Sequence, residues 1–156
     1  MTDVGIGFAA EEVRTGESTR SARLKWVIVV DADLPAGQIV NAATCVSAAT
    51  AAAVTGLLAD GGTDGDGTHH PGLPWAGCSI LAATTDKLRQ VRDRASRAAD
   101  LFVADMPRAA QDSRVYDEYL ERLSRLAGDE IAYAAISLVG PRKSVDRIVG
   151  GLKLLP

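Results

Sequence analysis

The apolar run Trp26-Val27-Ile28-Val29-Val30 constrains this chain more than any other feature. β-Branched residues without polar alternation form a strand buried on both faces, and such a strand needs helices above and below its sheet. Through Asp31-Ala32-Asp33-Leu34-Pro35-Ala36-Gly37 the run leads into an Ala-rich segment. From Leu34 to Ala59 no residue is charged. A helix so small on every side can press closely against a sheet. This pattern speaks to fold and says nothing yet about a reaction.

The rest of the chain alternates in the same way. Strands are expected at about 24–30, 78–83, 101–104 and 131–139, and helices at about 37–58, 85–97, 112–127 and 142–150. Pro35 stands ahead of the first helix, where a missing N–H costs nothing. Thr84 or Thr85 caps the second helix, whose apolar face is Leu88, Val91, Ala95 and Ala98. Val115, Tyr119, Leu123 and Leu126 give the third helix one buried face, and Gly128 ends it. Residues 60–77, rich in Gly, Asp and Pro, read as a long loop, with a second loop at 106–111. Four strands and four helices predict an α/β domain, a three-layer α/β/α sandwich on a four-stranded mixed sheet. It spans 23–156 and follows an N-terminal arm, 1–22, whose end packs on the domain and whose start is mobile.

Composition narrows the function classes. At 156 residues the chain is one domain, able to bury roughly 70% of its unfolded surface. A net charge of −3 argues against a sequence-independent grip on phosphate backbones. Helix two, with Lys87, Arg89, Arg92, Arg94 and Arg97, is the one basic surface, and an amphipathic helix's solvent face explains it equally well. Cys45 and Cys78 read as free thiols rather than a disulfide framework. The uncharged run contains Pro35, Gly37, Gln38 and Asn41, which argues against a membrane span. The expected location is cytoplasmic.

Candidate chemistry gathers at the turn into helix one. Free N–H groups of about Gly37 to Val40, backed by the helix dipole, form a site for an anion or a carbonyl oxygen. Gly37 lets a ligand approach the backbone, Gln38 and Asn41 offer amides, and Thr44 follows on the helix. Asp33 flanks the turn, and Asp105 ends strand three with Arg108 close behind. The plainer reading is that Asn41 bonds the loop backbone and Asp105 pairs with Arg108. Cys45 lacks an evident base to make it a nucleophile. Asp60, Asp64, Asp66, His69 and His70 lack the spacing of a calcium or zinc site, so no metal is expected. Nothing in the pattern requires a cofactor.

The order of elements, Leu34-Pro35-x-Gly37, Asn41-Ala42-Ala43 and the tail from Val139-Gly140-Pro141 to Gly151-Leu152-Lys153-Leu154-Leu155 resemble the type 2 peptidyl-tRNA hydrolase superfamily. Within it the chain most resembles the family catalogued as domain of unknown function 2000, which shares the Leu-Pro-x-Gly turn, the helix-one Asn-Ala-Ala and an extra helix with a run like Asp117-Glu118-Tyr119. The resemblance covers about 23–155 and implies that strands one and three are neighbours. It also implies two lysines in the turn before helix one, where this chain has Gln38 and Val40, and a Thr where it has Ala109. Asp105 and Arg108 keep the acid and the basic position. The fold therefore carries over more securely than the activity.

The expected function is binding of a polar small molecule or peptide end at the start of helix one. A divergent ester or amide hydrolase using Asp105, and tRNA binding without turnover, are the alternatives. A homodimer is the assembly that a domain of this class suggests.

Overall fold

The computed structural model describes residues 5–156. The expectation of a mobile start to the arm falls partly on 1–4, outside the described residues. Strand β1 (Leu24–Asp31) lies at the centre of the main sheet, and α1 (Ala36–Ala53) follows it. A small hairpin, β2 (Gly62–Thr63) and β3 (His69–His70), precedes β4 (Cys78–Ala83) and α2 (Thr85–Ser96). Then come β5 (Phe102–Pro107), the single turn α3 (Arg108–Gln111), α4 (Tyr116–Ser124), β6 (Tyr133–Pro141), α5 (Arg142–Val149) and β7 (Lys153–Leu154).

The main sheet runs β5-β6-β1-β4-β7. Only β1 and β4 are parallel, with Trp26 opposite Cys78 and Asp31 opposite Ala83. β6 is antiparallel to both β1 and β5, and β7 is antiparallel to β4. α1 covers one face, packed over Trp26, Ile28 and Val30; α2 and α5 cover the other, over Val27 and Val29. Alternate residues of β1 thus serve two separate cores, which is why the run has no polar position.

Several expectations change. The sheet has five strands, not four, because Lys153 and Leu154 add an edge to β4. Two residues are too short to leave a period in sequence. α1 stops at Ala53, earlier than 58: the chain turns at Val54 to Gly56, so that Gly7 bridges Thr55 and the Phe8 amide donates to the Thr55 carbonyl (2.9 Å). Gly56 has φ +69°, and a Cβ there would stand 2.7 Å from the Phe8 carbonyl oxygen. The 60–77 segment holds the hairpin and a packed base, where Ala59 bonds Leu73 (3.0 Å) and a Cβ on Gly72 would fall 1.7 Å from the Ala59 carbonyl oxygen.

The helix expected at 112–127 is α4, with no buried residue. Its apolar residues are spaced as predicted, yet Val115, Tyr116 and Leu120 are exposed, because the helix stands off the sheet against α3. Part of the loop expected at 106–111 instead extends β5 and winds into α3. Finally, β6 separates β1 from β5, so strands one and three are not neighbours.

The arm packs where it is described. Phe8 is buried edge-on against Trp75, with ring centroids 4.8 Å apart. Arg23 holds it from the other side, donating to the Glu12 carboxylate and to the Gly7 carbonyl (2.9 Å). No helix among the described residues is long and apolar enough to cross a membrane.

Candidate functional site

The turn into α1 is narrower as a donor site than its sequence suggests. Pro35 is the N-cap, and its carbonyl accepts the amides of Gln38 (2.9 Å) and Ile39 (3.1 Å). Ala36 and Gly37 remain as donors without a backbone partner among the described residues. Gly37 and Gln38 are exposed, and a Cβ on Gly37 would meet open space.

α3 closes the side of this turn. Gln111 donates its Nε2 to the Gln38 carbonyl (2.8 Å) and faces the Asn41 Oδ1 at 3.4 Å. Both partners are acceptors, which fixes the amide's orientation. Its Oε1 is buried without a hydrogen-bond partner. Sequence reading missed Gln111 because it took the segment for loop; the Pro107-Arg108-Ala109-Ala110 lead-in, with proline at a helix start, was the available signal.

The anchored carboxylate is Asp31, fully buried at the end of β1. Its Oδ1 accepts the Asp33 amide (3.0 Å), its Oδ2 accepts the Thr85 hydroxyl (2.8 Å), and the Arg108 Nη1 stands 3.5 Å away. Asp33, the residue singled out from sequence, is exposed. The available signal for Asp31 was its place directly after the apolar run Trp26 to Val30, two residues before Asp33. Arg108 thus pairs with Asp31, and the expected pairing with Asp105 is not formed.

Asp105 faces the other layer. Its Oδ2 accepts from the Arg92 Nε at 2.8 Å, and the Arg92 guanidinium lies 5.9 Å above the Tyr133 ring. Burial opposes the charge on Arg92, but the hydrogen bond and field of Asp105 outweigh it and raise its pKa. Tyr119 and Tyr133 are pushed up chiefly by burial and stay neutral phenols.

Asn41 and Asp105 nevertheless line one cavity of about 550 Å³ between α1, the end of β5 and α4. Cys45, Gln111, Tyr116 and Tyr119 share it, and the two tyrosine rings meet edge-on at 5.5 Å. Thr44 lies on the other flank of α1 and donates to the Val40 carbonyl (2.8 Å). Seven residues read as one site therefore divide: Asn41 and Asp105 line one cavity, Gly37 and Gln38 edge the turn, Arg108 braces Asp31, and Asp33 and Thr44 stand apart.

In the 60–77 segment, the Asp64 Oδ1 accepts the amides of Asp66 and Thr68, both at 2.9 Å. Its carboxyl is held below the usual range by the Thr68 amide and then by the His70 ring. No group of three or more His, Cys, Asp or Glu residues among the described residues is arranged to hold a metal ion.

Residues 24–156 match the family described as protein of unknown function (DUF2000). The chain belongs to that family. Among solved structures it is similar to a protein of unknown function, Atu0240, from Agrobacterium tumefaciens str. C58. The two share 20% identity and a TM-score of 0.77, over 86% of this chain and 98% of the other. At that identity the likeness is one of fold. No curated protein matches the sequence.

Proposed function

We propose that this member of the family binds a polar small molecule or a peptide end in the cavity between α1 and α4, beside the first turns of α1. The observation that carries the reading is that Asn41 and Asp105, from separate elements, line one cavity. A volume of about 550 Å³ suits a small ligand. Asn41 offers a carboxamide, and Asp105 an acceptor already braced by Arg92. Tyr116 and Tyr119 offer a wall that is apolar in body and polar at its tips.

Hydrolysis is the weaker reading. Gln38 and Val40 stand where the type 2 peptidyl-tRNA hydrolase resemblance implies cations, and one Asp105 oxygen is engaged by Arg92. Binding of tRNA is weakened by the net charge of −3.

An amide-resolved NMR titration with N-acetylated amino acids and dipeptides tests the proposal. Saturable shifts should centre on Asn41, Cys45, Gln111 and Tyr119, and Asn41→Ala or Asp105→Asn should weaken them at least tenfold. Shifts confined to other surfaces, or none at millimolar ligand, would overturn it. Release of tRNA from an N-blocked aminoacyl-tRNA, lost in Asp105→Asn, would replace binding with hydrolysis.

A further inference from the structure

The opposite flank of α1 carries a second cavity, which shares no lining residue with the first. It is a groove of about 630 Å³ between α1, the 73–78 segment and the β4–β7 edge. Ile28 and Ile80 form its floor, Ile39 and Val40 one wall, and Leu73 and Leu155 the other. None of its lining residues is charged, in a chain that is 24% charged.

Its hydroxyls are also largely spent. Thr44 donates to the Val40 carbonyl (2.8 Å) and Ser47 to the Ala43 carbonyl (2.7 Å). Polar recognition in the groove is correspondingly poor. Left to water, the groove exposes Val40 by 64% and Leu73 by 74%.

We propose that this groove is a binding site for a neutral, apolar small molecule, such as an uncharged alkyl chain or a fused aromatic ring. Charge complementarity selects the class: an ionic ligand would lose hydration here with no countercharge to replace it. A volume of about 630 Å³ fits a small ligand, whereas a second copy of the chain needs a contact of roughly 800 Å² per partner. The site is independent of the polar cavity and of the function proposed for it.

The test uses N-phenyl-1-naphthylamine, a neutral fluorophore that brightens in apolar surroundings. Fluorescence should rise to a saturable 1:1 endpoint, and decan-1-ol should compete. Thr44→Arg, which sets a charge on the exposed rim of α1, should weaken binding at least tenfold, and Leu73→Ser several-fold. Cys78 lies in the groove wall, so in a Cys45→Ser background the probe should slow alkylation of Cys78 by N-ethylmaleimide in step with occupancy. Should Thr44→Arg fail to fold, Leu73→Ser and Cys78 protection decide the matter. Probe binding indifferent to those changes, with Cys78 unprotected, overturns the proposal. So does a concentration-dependent dimer that Thr44→Arg abolishes and the probe leaves unchanged, since a second copy would then be the occupant.

Discussion

The two faces of the sheet are built differently, and the contrast accounts for the two cavities that flank α1. Five strands about 4.8 Å apart span about 19 Å, whereas one helix is about 10 Å across. On one face α2 and α5 lie side by side, joined where the Arg94 Nη2 donates to the Ile148 carbonyl (2.8 Å). Two helices cover that width, leaving between them a smaller cavity of about 380 Å³ beside Arg94, Asp100 and Arg147. On the other face α1 is the one long helix described, and its neighbours are irregular chain, Phe8 and Trp75 among them, with the short α3 and α4 at the β5 edge. One helix leaves a trough on either flank, and those troughs are the polar cavity and the apolar groove.

Charge follows the same division. The face under α2 and α5 carries Lys87, Arg89, Asp93, Arg94, Lys143 and Arg147 on its helices, while α1 carries no charge. That face behaves as solvent surface over a closed core. On the α1 face Val40 and Leu73 stay exposed beside an uncharged groove.

Packing under α2 and α5 should be the costliest to disturb. Leu88 is fully buried under α2 with Val91 and Ala95. Leu88→Ala should cost about 2–5 kcal/mol, read from the urea midpoint, because neighbours on both sides prevent collapse into the gap. A loss under about 1 kcal/mol would mean that this face is as loosely filled as the other.

Beneath α1 the anchor is polar. The Trp26 Nε1 donates to the Ser137 Oγ (2.9 Å), which lies 2.7 Å from the Thr50 Oγ1, all of them buried. Ser137→Ala leaves the indole donor unpaired and should cost about 1–3 kcal/mol. An unchanged midpoint would show that the relay positions α1 without stabilising it.

These two faces were unequally legible in the sequence. β1 is legible as an uninterrupted apolar run, β6 as one broken by Ser137, and α2 as a helix by its 3.6-residue period and a cap at Thr84 or Thr85, of which the Thr84 hydroxyl accepts the Lys87 amide at 3.3 Å. Such signals are local, and tertiary contact left them unchanged. The α1 face depends on contacts that no local period encodes. Val54 and Leu57 continue an apolar pattern, but the chain leaves the helix to meet Gly7 and Phe8. α4 has a helical period and no core to bury it in. Within the site, Asn41 and Asp105 were chosen for their chemistry, whereas Gln111 and Asp31 emerged only once α3 and the end of β1 had places in space.

The arm is the part of the α1 side that pH should release first. The hydrogen bonds of Glu12 to Arg23 and then to the Ala9 amide lower its pKa from 4.5 to about 2. A depressed carboxylate contributes stability above its unfolded pKa and loses it as pH falls through the folded one. The arm should therefore loosen between about pH 4.5 and 2, seen as faster amide exchange at Ala9 and line broadening near Phe8 and Trp75, while α2 stays protected. Glu12→Gln should produce the loosened arm already at neutral pH. Equal acid loss on both faces would deny the arm any special dependence on this pair.

The smallest expected effect bears most directly on why α1 is uncharged. Ala48 is exposed, so Ala48→Glu meets no buried surface and should change stability by no more than about 0.5 kcal/mol. If so, folding tolerates charge on this helix, and its absence from Leu34 to Ala59 calls for another cause, of which an occupant of the α1 face is the natural one. Were the same substitution to cost several times that amount, the uncharged surface would belong to the fold itself, and the contrast between the faces would reduce to packing.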